Sequence, residues 1–256
     1  NTKEIVEDYQ NKDKRIKYIY QNNSSQAVAR NKGISLSQGE YIAFLDADDV
    51  WLENKLEEQI PILIDESTVL VYSDFICVDE NDNILKTNER KKFLRGKVFQ
   101  DLIYDNFVAT SSVLIKKKSI TDNKLYFREN RQGVEDWDLW LRLAKIGNFD
   151  YANTPLIKYR TYPGNMSSKI EKMHQSRIKT LDDLNDSVMK DEALTNKKRF
   201  CVLDKIRKGK AFQTLRTGHE YLALGEKSSA REMFFYSLNL NPLSPRPIWG
   251  LIKSFF

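Results

Sequence analysis

The chain has 256 residues, with 41 Lys and Arg against 36 Asp and Glu, so its formal net charge is +5. This length suffices for one large domain, or for one domain with an appendage. Both signs of charge are dispersed along most of the sequence, which fits anionic small-molecule substrates or an acidic membrane surface and does not require nucleic acid.

Two cysteines occur, Cys77 and Cys201, far apart in sequence and outside any metal-like spacing. We therefore expect a reducing compartment. The sequence shows neither a signal-peptide core nor an apolar run long enough to span a bilayer. It predicts a soluble, cytoplasmic protein, with a peripheral position at the inner face of the cell membrane as a further hypothesis.

The first elements alternate between helix and strand. Helical spacing predicts a helix over 1–10, and residues 15–20 are typical of a strand. A polar loop at 22–25 leads into a helix rich in small residues over 26–36, and this helix leads into a strand at 41–45. The order predicts an α/β sheet with crossover connections.

The apolar run 41–45 ends in three carboxylates, Asp46, Asp48 and Asp49. A short continuous apolar run is typical of a strand buried on both faces in a mostly parallel sheet, and such sheets bind ligands at the carboxyl ends of their strands. Asp46 and Asp48 can reach the same side, where oxygen ligands suit Mg²⁺ or Mn²⁺ carrying a diphosphate. A solvated acidic turn is the alternative. We expect Asp49 to cap the following helix.

Segments 26–34 (QAVARNKGI) and 39–49 (GEYIAFLDADD) together resemble the nucleotide-sugar half of family 2 glycosyltransferases. The resemblance implies a Rossmann-like catalytic fold of the type called GT-A. It also implies that Asp46 and Asp48 bind the divalent metal, Mn²⁺ or Mg²⁺, together with the ribose and diphosphate of a nucleotide-sugar donor. Arg30 would lie near the nucleotide, and an ordinary salt bridge on a helix face is its alternative.

The middle of the chain continues this pattern. A short strand at 69–72 precedes a segment dense in turn formers at 79–83. Residues 106–115 resemble the family's segment on the acceptor side. We expect the hydroxyls of Thr110, Ser111 and Ser112 to form local hydrogen bonds rather than to act in catalysis.

The second acidic motif is GVEDWDLWLRLA at 133–144. Its spacing predicts a helix on which Asp136 shares a face with apolar side chains, and compensation of the helix dipole is one explanation of its acids. The motif resembles the family's Glu-Asp signature, which implies that Asp136 is the general base of an inverting reaction. Glu135 and Trp137 would line the sugar or acceptor pocket, although a Trp at this spacing often belongs to a core.

A third segment, 159–168, follows a predicted strand. Arg160 and the glycine loop at Gly164 could close over the donor diphosphate, because guanidinium groups and exposed amides suit phosphate oxygens. In relatives the position of Tyr162 is often a His that helps to hold the metal or phosphate. Tyr162 therefore puts a side-chain metal ligand from this loop in doubt.

The composition becomes helical and charge-rich beyond about residue 169. We therefore predict a catalytic domain over 1–168 and a helical extension over 169–256. The extension matches five of seven marker positions of a tetratricopeptide repeat, which predicts one such hairpin at about 211–242. The apolar segment 247–256 has two explanations, docking on the domain or contact with a membrane that holds a lipid-linked acceptor.

Family members normally open with two strands and a nucleotide-holding Asp-Asp-Gly-Ser-like turn, so the resemblance implies an N-terminally truncated domain, either a fragment or a degenerate protein. The leading hypothesis is a metal-dependent, inverting glycosyltransferase of the hexosyl or hexosaminyl type that acts on a cell-surface glycan or lipid-linked acceptor in polysaccharide biosynthesis. A non-catalytic scaffold with a degenerate site is the alternative. A nucleotidyltransferase is the third hypothesis, although we recognise no Gly-rich activation loop.

Overall fold

The structure is a computed structural model that describes residues 1–87, 93–162 and 169–255. Its helices are α1 (Thr2–Lys12), α2 (Gln26–Leu36), α3 (Lys55–Leu63), α4 (Phe99–Leu102), α5 (Lys117–Thr121), α6 (Glu135–Leu143), α7 (Ile170–Lys190), α8 (Asn196–Ala223), α9 (Lys227–Leu240) and α10 (Arg246–Phe255). Its strands are β1 (Tyr41–Ala43), β2 (Val50–Trp51), β3 (Thr68–Val78), β4 (Ile84–Thr87), β5 (Leu114–Lys116) and β6 (Asn148–Arg160). A 3₁₀ turn, Thr110–Ser112, precedes β5.

One sheet joins five of these strands in the order β1-β5-β3-β6-β2. The sixth strand, β4, also pairs with β3. The long strands β3 and β6 run parallel from Thr68 against Asn148 to Val78 against Arg160. The connection between them includes α6, as parallel neighbours require. The four other pairings are antiparallel.

The predicted mostly parallel sheet is therefore wrong for the described part of the chain. The predicted strand at 41–45 is present as β1, but β1 pairs antiparallel with β5. Ile42 is buried on one face of β1 and Tyr41 and Ala43 are partly buried on the other, whereas Leu45, at the end of the predicted strand, is 50% exposed. Burial of both faces requires an apolar run but does not fix the direction of the neighbouring strand, which depends on the path of the chain.

The predicted strand at 15–20 is also wrong. This segment has no regular secondary structure and pairs with none of the described strands, and the side chains of Ile19 and Tyr20 are exposed. An extended segment becomes a strand only when a neighbour accepts and donates its backbone hydrogen bonds. The helices predicted over 1–10, 26–36 and 133–144 are confirmed as α1, α2 and α6.

Side chains of the strands alternate between two apolar cores. The larger core includes residues of β1, β3 and β5 that face α2 and α6, namely Ile42, Leu70, Tyr72 and Ile115. The smaller core lies on the opposite face and contains Leu63 of α3 with Val71 and Leu114. The alternation is the period-two pattern of a sheet that helices cover on both sides.

The helical C-terminal region is confirmed, and it packs directly on the sheet domain. Leu181, Leu184 and Val188 of α7 belong to the same buried cluster as Trp137 and Trp140 of α6. The predicted domain boundary at residue 168 lies outside the described residues. Because the two regions share one core, we expect them to fold together.

The predicted tetratricopeptide-like hairpin corresponds to the C-terminal half of α8 and to α9. Gly225 turns the chain between them with a φ of +79°, a conformation that favours glycine. The ring of Phe234 lies against Gly218, where an added Cβ would come within 2.5 Å of a ring atom. Among the described helices, none combines the length and the apolar character needed to cross a membrane.

Candidate active site

The acidic turn after β1 forms one wall of a cavity of about 540 Å³. Asp46 and Asp48 both line this cavity, as the position of their motif at the end of a strand predicts. The turn is closed locally by the backbone N–H of Asp49, which donates to the Asp46 carbonyl at 3.1 Å. The Asp46 N–H donates to Ser111 Oγ at 3.1 Å, so the 3₁₀ turn holds the acidic turn in place.

Asp49 does not cap a helix, so that prediction is wrong. The chain enters β2 after Asp49 and reaches α3 only at Lys55. Asp49 is buried and accepts hydrogen bonds from Ser111 Oγ at 2.5 Å and from the backbone N–H of Arg160 at 3.1 Å. Burial raises the pKa of Asp49, against the effect of these hydrogen bonds. Asp49 thus fastens the acidic turn to β6.

Arg30 of α2 joins the two acidic motifs. Its guanidinium donates to Asp46 Oδ1 at 2.6 Å and to Glu135 Oε1 at 2.8 Å. Burial opposes its charge, but the carboxylates of Asp46 and Glu135 raise its pKa overall. Arg30 therefore forms salt bridges and also lines the cavity, and its position near a nucleotide remains a prediction.

Asp136 stands in the first turn of α6 and lines the same cavity. Its Oδ2 accepts from Asn106 Nδ2 at 3.1 Å and from Thr110 Oγ1 at 3.2 Å, while its Oδ1 accepts from the N–H of Trp137 at 2.6 Å. Burial, followed by the neighbouring charge of Glu135, raises the pKa of Asp136 to about 6. A carboxylate of this kind can take up a proton near neutral pH.

The two residues next to Asp136 in sequence already have partners within the protein. Glu135 is buried and paired with Arg30. Trp137 borders the cavity, but its ring is buried in the larger core and its Nε1 donates to the Leu102 carbonyl at 2.7 Å. Direct contact of either residue with a sugar or acceptor remains a prediction.

Three side chains on the far side of the 3₁₀ turn brace it. Trp51 Nε1 donates to the Ser111 carbonyl at 2.9 Å, and Gln59 Nε2 donates to the Ser112 carbonyl at 2.7 Å. Lys55 Nζ donates to the Ser112 and Val113 carbonyls at 3.3 Å and also to the Gln59 side chain. Burial lowers the pKa of Lys55 to about 7. These hydrogen bonds hold the 3₁₀ turn in place and thereby position Thr110 and Ser111.

The expectation that the hydroxyls of 110–112 bond only locally is wrong for two of them. Ser111 donates to Asp49 and Thr110 donates to Asp136. Ser112 alone bonds locally, to the Ala109 carbonyl at 2.8 Å. These contacts arise because the turn lies between the ends of β1 and α6, which the local sequence does not reveal.

Arg160 lies beside the acidic turn rather than in the cavity lining. Its guanidinium donates to the Asp48 carbonyl at 2.9 Å, the Asp79 carbonyl at 2.7 Å and Asp82 Oδ1 at 2.8 Å. It thereby ties β6 to the acidic turn and to the β3–β4 hairpin. Contact of Arg160 with a diphosphate remains a prediction. The glycine loop at Gly164 lies outside the described residues.

Tyr162 lines the cavity and donates through its hydroxyl to Asp48 Oδ2 at 3.3 Å. The negative charge of Asp48 raises the pKa of this phenol. At ordinary pH Tyr162 is therefore a neutral hydrogen-bond donor to Asp48. It reaches the place where the resemblance puts a histidine, but with a different chemistry.

The carboxylates of Asp46 and Asp48 fit a divalent cation in part. Within 1–87, 93–162 and 169–255, no three His, Cys, Asp or Glu side chains converge to hold a metal ion alone. Mg²⁺ commonly uses one or two protein carboxylates and takes its other ligands from water and substrate phosphates. The pair fits a metal that arrives with a diphosphate.

The C-terminal helices form another wall of the cavity, which the sequence did not predict. Met173 and Arg177 of α7 and Gln213 and Arg216 of α8 line it. Arg216 Nη1 donates to Asp105 Oδ1 at 3.0 Å. The amphipathic pattern of α7 and α8 could have indicated that they pack on the domain, but not that they reach this cavity.

The fold and the site define an α/β protein of the GT-A class, with acidic motifs from β1 and α6 on one cavity. The family model of glycosyl transferase family 2 matches residues 1–122. MJ1057 of Methanocaldococcus jannaschii, described as an uncharacterized glycosyltransferase, is 32% identical over 202 residues, which are 77% of this chain and 66% of that protein. The chain belongs to glycosyltransferase family 2.

Two bacterial relatives have more specific descriptions. TuaG of Bacillus subtilis, named for teichuronic acid biosynthesis, is 30% identical over 172 residues, or 65% of each protein. WfgD of Escherichia coli, named as a UDP-Glc:α-D-GlcNAc-diphosphoundecaprenol β-1,3-glucosyltransferase, is 28% identical over 159 residues, which are 61% of this chain and 60% of WfgD. The chain thus spans about two thirds of the length of these relatives, or somewhat less.

Solved structures confirm the GT-A fold. S. aureus TarS 1–349 in complex with UDP-GlcNAc has a TM-score of 0.64 at 17% identity, over 99% of this chain and 75% of TarS 1–349. The mannosyltransferase PcManGT from Pyrobaculum calidifontis, in complex with GDP-Man and Mn²⁺, has a TM-score of 0.54 at 13% identity, over 99% and 73% of the two chains.

Proposed function

We propose that this chain transfers a sugar from a nucleotide-diphosphate donor to a hydroxyl group, with inversion at the anomeric carbon. The observation that carries the proposal is that Asp46 and Asp48 line the same cavity as Asp136, whose pKa is raised to about 6. One side of the cavity suits a metal-bound diphosphate, and the other holds a base.

In the proposed reaction Asp136 takes the proton of the acceptor hydroxyl. The acceptor oxygen then forms a bond to the anomeric carbon from the face opposite the diphosphate. The bond from that carbon to the diphosphate oxygen breaks, and the nucleoside diphosphate leaves with the electron pair. Asn106 and Thr110 orient the Asp136 carboxylate for the proton transfer, because both donate to its Oδ2.

Asp46 and Asp48 would hold the divalent metal, Mn²⁺ or Mg²⁺. When bound, such a metal offsets the negative charge that develops on the departing diphosphate. The chain itself positions the two carboxylates, Asp46 through Arg30 and Asp48 through Tyr162. PcManGT, which shares the fold, was solved with Mn²⁺ and GDP-Man.

The acceptor would enter between the sheet domain and the C-terminal helices. The polar side chains of Arg177, Gln213 and Arg216, together with Asp105, offer donors and acceptors for a hydroxyl-rich chain. The names of TuaG and WfgD point to cell-envelope polysaccharide and to a lipid-linked acceptor. We infer a glycan or lipid-linked acceptor, reached from the cytoplasmic side of the cell membrane.

The test is a transfer assay with Mn²⁺, a panel of UDP and GDP sugars, and glycan or lipid-linked acceptors. We expect metal-dependent transfer by the natural protein and a loss of about 100-fold or more for Asp136→Asn. Thermal protection by the donor should survive that substitution, because Asp136 lies on the acceptor side. Asp48→Asn should instead weaken the metal-dependent protection.

Asp101→Asn is the matched control, because Asp101 is an exposed acid on α4 that does not line the cavity. Its transfer rate should equal that of the unchanged protein. Full activity of Asp136→Asn would refute the assignment of the base. Absence of donor binding in the presence of metal would favour the non-catalytic scaffold.

A further inference from the structure

Helix α10 buries small residues and packs Leu251 against the cluster of Leu215, Ala230 and Phe234, but it exposes its other large apolar residues. The residues that it buries are Pro247, Gly250 and Ser254. We define the α10 outer face as Ile248, Trp249, Ile252 and Phe255, which are 47%, 65%, 45% and 65% exposed. Most surface helices show the opposite arrangement, in which large apolar side chains face the core.

The neighbouring helix fixes this orientation. An added Cβ at Gly250 would come within 2.7 Å of the Phe234 ring of α9, and Phe234 is itself fully buried. A larger side chain at position 250 would therefore displace Phe234, so α10 must keep Gly250 against the ring. The exposure of the outer face follows from close packing on the inner face.

Three basic side chains lie on or beside the outer face. Arg246 and Lys253 lie on α10 beside Trp249, since three or four residues make one helical turn. Arg231 of α9 places its guanidinium 4.8 Å from the centre of the Phe255 ring. Residues 233–256 contain neither Asp nor Glu. An apolar strip with Trp and Phe, bordered by Arg and Lys, is the pattern of a helix that lies in a membrane interface.

We propose that the α10 outer face docks the protein on an anionic lipid bilayer, with α10 parallel to the membrane plane. The apolar side chains enter the boundary between headgroups and acyl chains, and Arg231, Arg246 and Lys253 contact anionic headgroups. A second copy of the chain is a poorer occupant. A two-fold contact through this face would place the cations of both copies together, without acids from 233–256 to pair with them.

The proposal concerns the membrane surface and is independent of the proposed transfer reaction. The experiment is co-sedimentation of the full chain with vesicles of phosphatidylglycerol and phosphatidylcholine, compared with vesicles of phosphatidylcholine alone. We expect binding to the anionic vesicles that weakens as salt is raised. The fluorescence of Trp249 should shift to the blue, and the shift should vanish in Trp249→Phe.

Two sets of variants separate the apolar and ionic contributions. Trp249→Ser combined with Ile252→Ser should weaken vesicle binding by about tenfold or more, because two apolar side chains no longer enter the bilayer. Arg246→Gln combined with Lys253→Gln should remove much of the salt dependence. Phe200→Ser on α8 is the matched control, because Phe200 is 75% exposed but lies outside this face.

Circular dichroism shows whether each variant is folded, and these exposed positions should tolerate the changes. Equal binding to neutral and anionic vesicles would overturn the proposal, as would equal losses in Phe200→Ser and in the α10 variants. Dimerisation in sedimentation velocity, abolished by the Trp249 and Ile252 substitutions and without vesicle binding, would show that the face joins two copies instead.

Discussion

The raised pKa of Asp136 links the proposed catalytic role of this residue to the stability of the folded protein. Burial in the first turn of α6 disfavours the charged form of Asp136, and the neighbouring negative charge of Glu135 disfavours it further. Asn106 and Thr110 compensate only in part, through neutral donors. A carboxylate with a pKa near 6, which suits the proposed base, therefore has a cost for the folded state.

We expect this cost to depend on pH. The folded pKa of about 6 exceeds the ordinary Asp value of 3.8, so the native protein binds the proton more tightly than the unfolded chain. The stabilisation is therefore lost as pH rises from about 4 through about 6. Asp136→Asn should not show this loss. Its unfolding free energy, compared with that of the unchanged protein, should therefore rise by roughly 2–3 kcal/mol between pH 4 and pH 8.

Urea unfolding across pH measures this difference, and the transfer rate of the unchanged protein should rise through about pH 6 over the same range. A constant difference between the two proteins from pH 4 to pH 8 would contradict a raised pKa at Asp136. Asp101→Asn, at the exposed position on α4, should show no such trend.

Arg30 is the second residue whose charge is decisive. Its side chain is 11% exposed and lies between Asp46 and Glu135, and Glu135 is buried. Removal of one partner of a buried pair leaves an uncompensated charge, which usually costs several kcal/mol.

We expect Arg30→Met to lower the unfolding free energy by about 3–5 kcal/mol. Glu135→Gln in the same chain should recover a large part of this loss, because it removes the unpaired carboxylate. The measurement is a double-mutant cycle by urea denaturation. Lys12→Met breaks the exposed pair with Asp8 and should cost at most about 1 kcal/mol. Equal losses for Arg30→Met and Lys12→Met would refute a buried network.

At the scale of elements, the 3₁₀ turn Thr110–Ser112 sets the geometry between the two acidic motifs. Its hydroxyls reach Asp49 and Asp136, while Trp51, Lys55 and Gln59 hold its carbonyls from behind. Hydrogen bonds from several elements hold this short turn, and polar groups that all have partners specify one conformation of a segment.

Lys55 provides a test of this brace. Its folded pKa of about 7 lies below the ordinary Lys value of 10.5, so the unfolded chain binds the proton more tightly. Stability should therefore rise as pH increases above about 7, by about 2 kcal/mol between pH 7 and pH 9. Lys55→Met should lack this increase, whereas the exposed Lys3→Met should retain it. Parallel stability profiles for the unchanged protein and Lys55→Met would contradict the assignment.

At the scale of the whole molecule, the larger core crosses the predicted domain boundary and joins the sheet domain to α7 and α8. Leu181 and Leu184 of α7 and Ile206 of α8 pack with Trp140 and its neighbours. Arg216 and Gln213 of α8 add polar contacts to Asp105 and to the Tyr104 carbonyl. The C-terminal helices therefore complete both the core and the cavity.

A chain that ends at residue 162 should consequently fail to reach a fixed tertiary structure. We expect it to keep far-ultraviolet circular dichroism, lose its near-ultraviolet signal and bind a hydrophobic dye, as compact states without specific packing do. A chain that ends at 245 and lacks only α10 is the control, and it should unfold cooperatively. A sharp unfolding transition in the shorter chain would show that 1–162 is an independent domain.

The sequence alone determined the elements and residues whose signals are local. The helices α2 and α6, the strand β1, the acids at its end and the placement of Asp136 in a first helical turn all followed from periodicity and motif order. These features depend on residues within one or two turns of each other, which a window of sequence contains.

Only the tertiary structure decided how these parts meet. The antiparallel pairing of β1 with β5, the bonds from Ser111 to Asp49 and from Thr110 to Asp136, and the cavity wall from α7 and α8 join residues far apart in sequence. Backbone hydrogen bonds and buried charges must find partners somewhere, but the path of the folded chain selects which ones. The sequence therefore named both halves of the candidate site, and the fold placed them on one cavity.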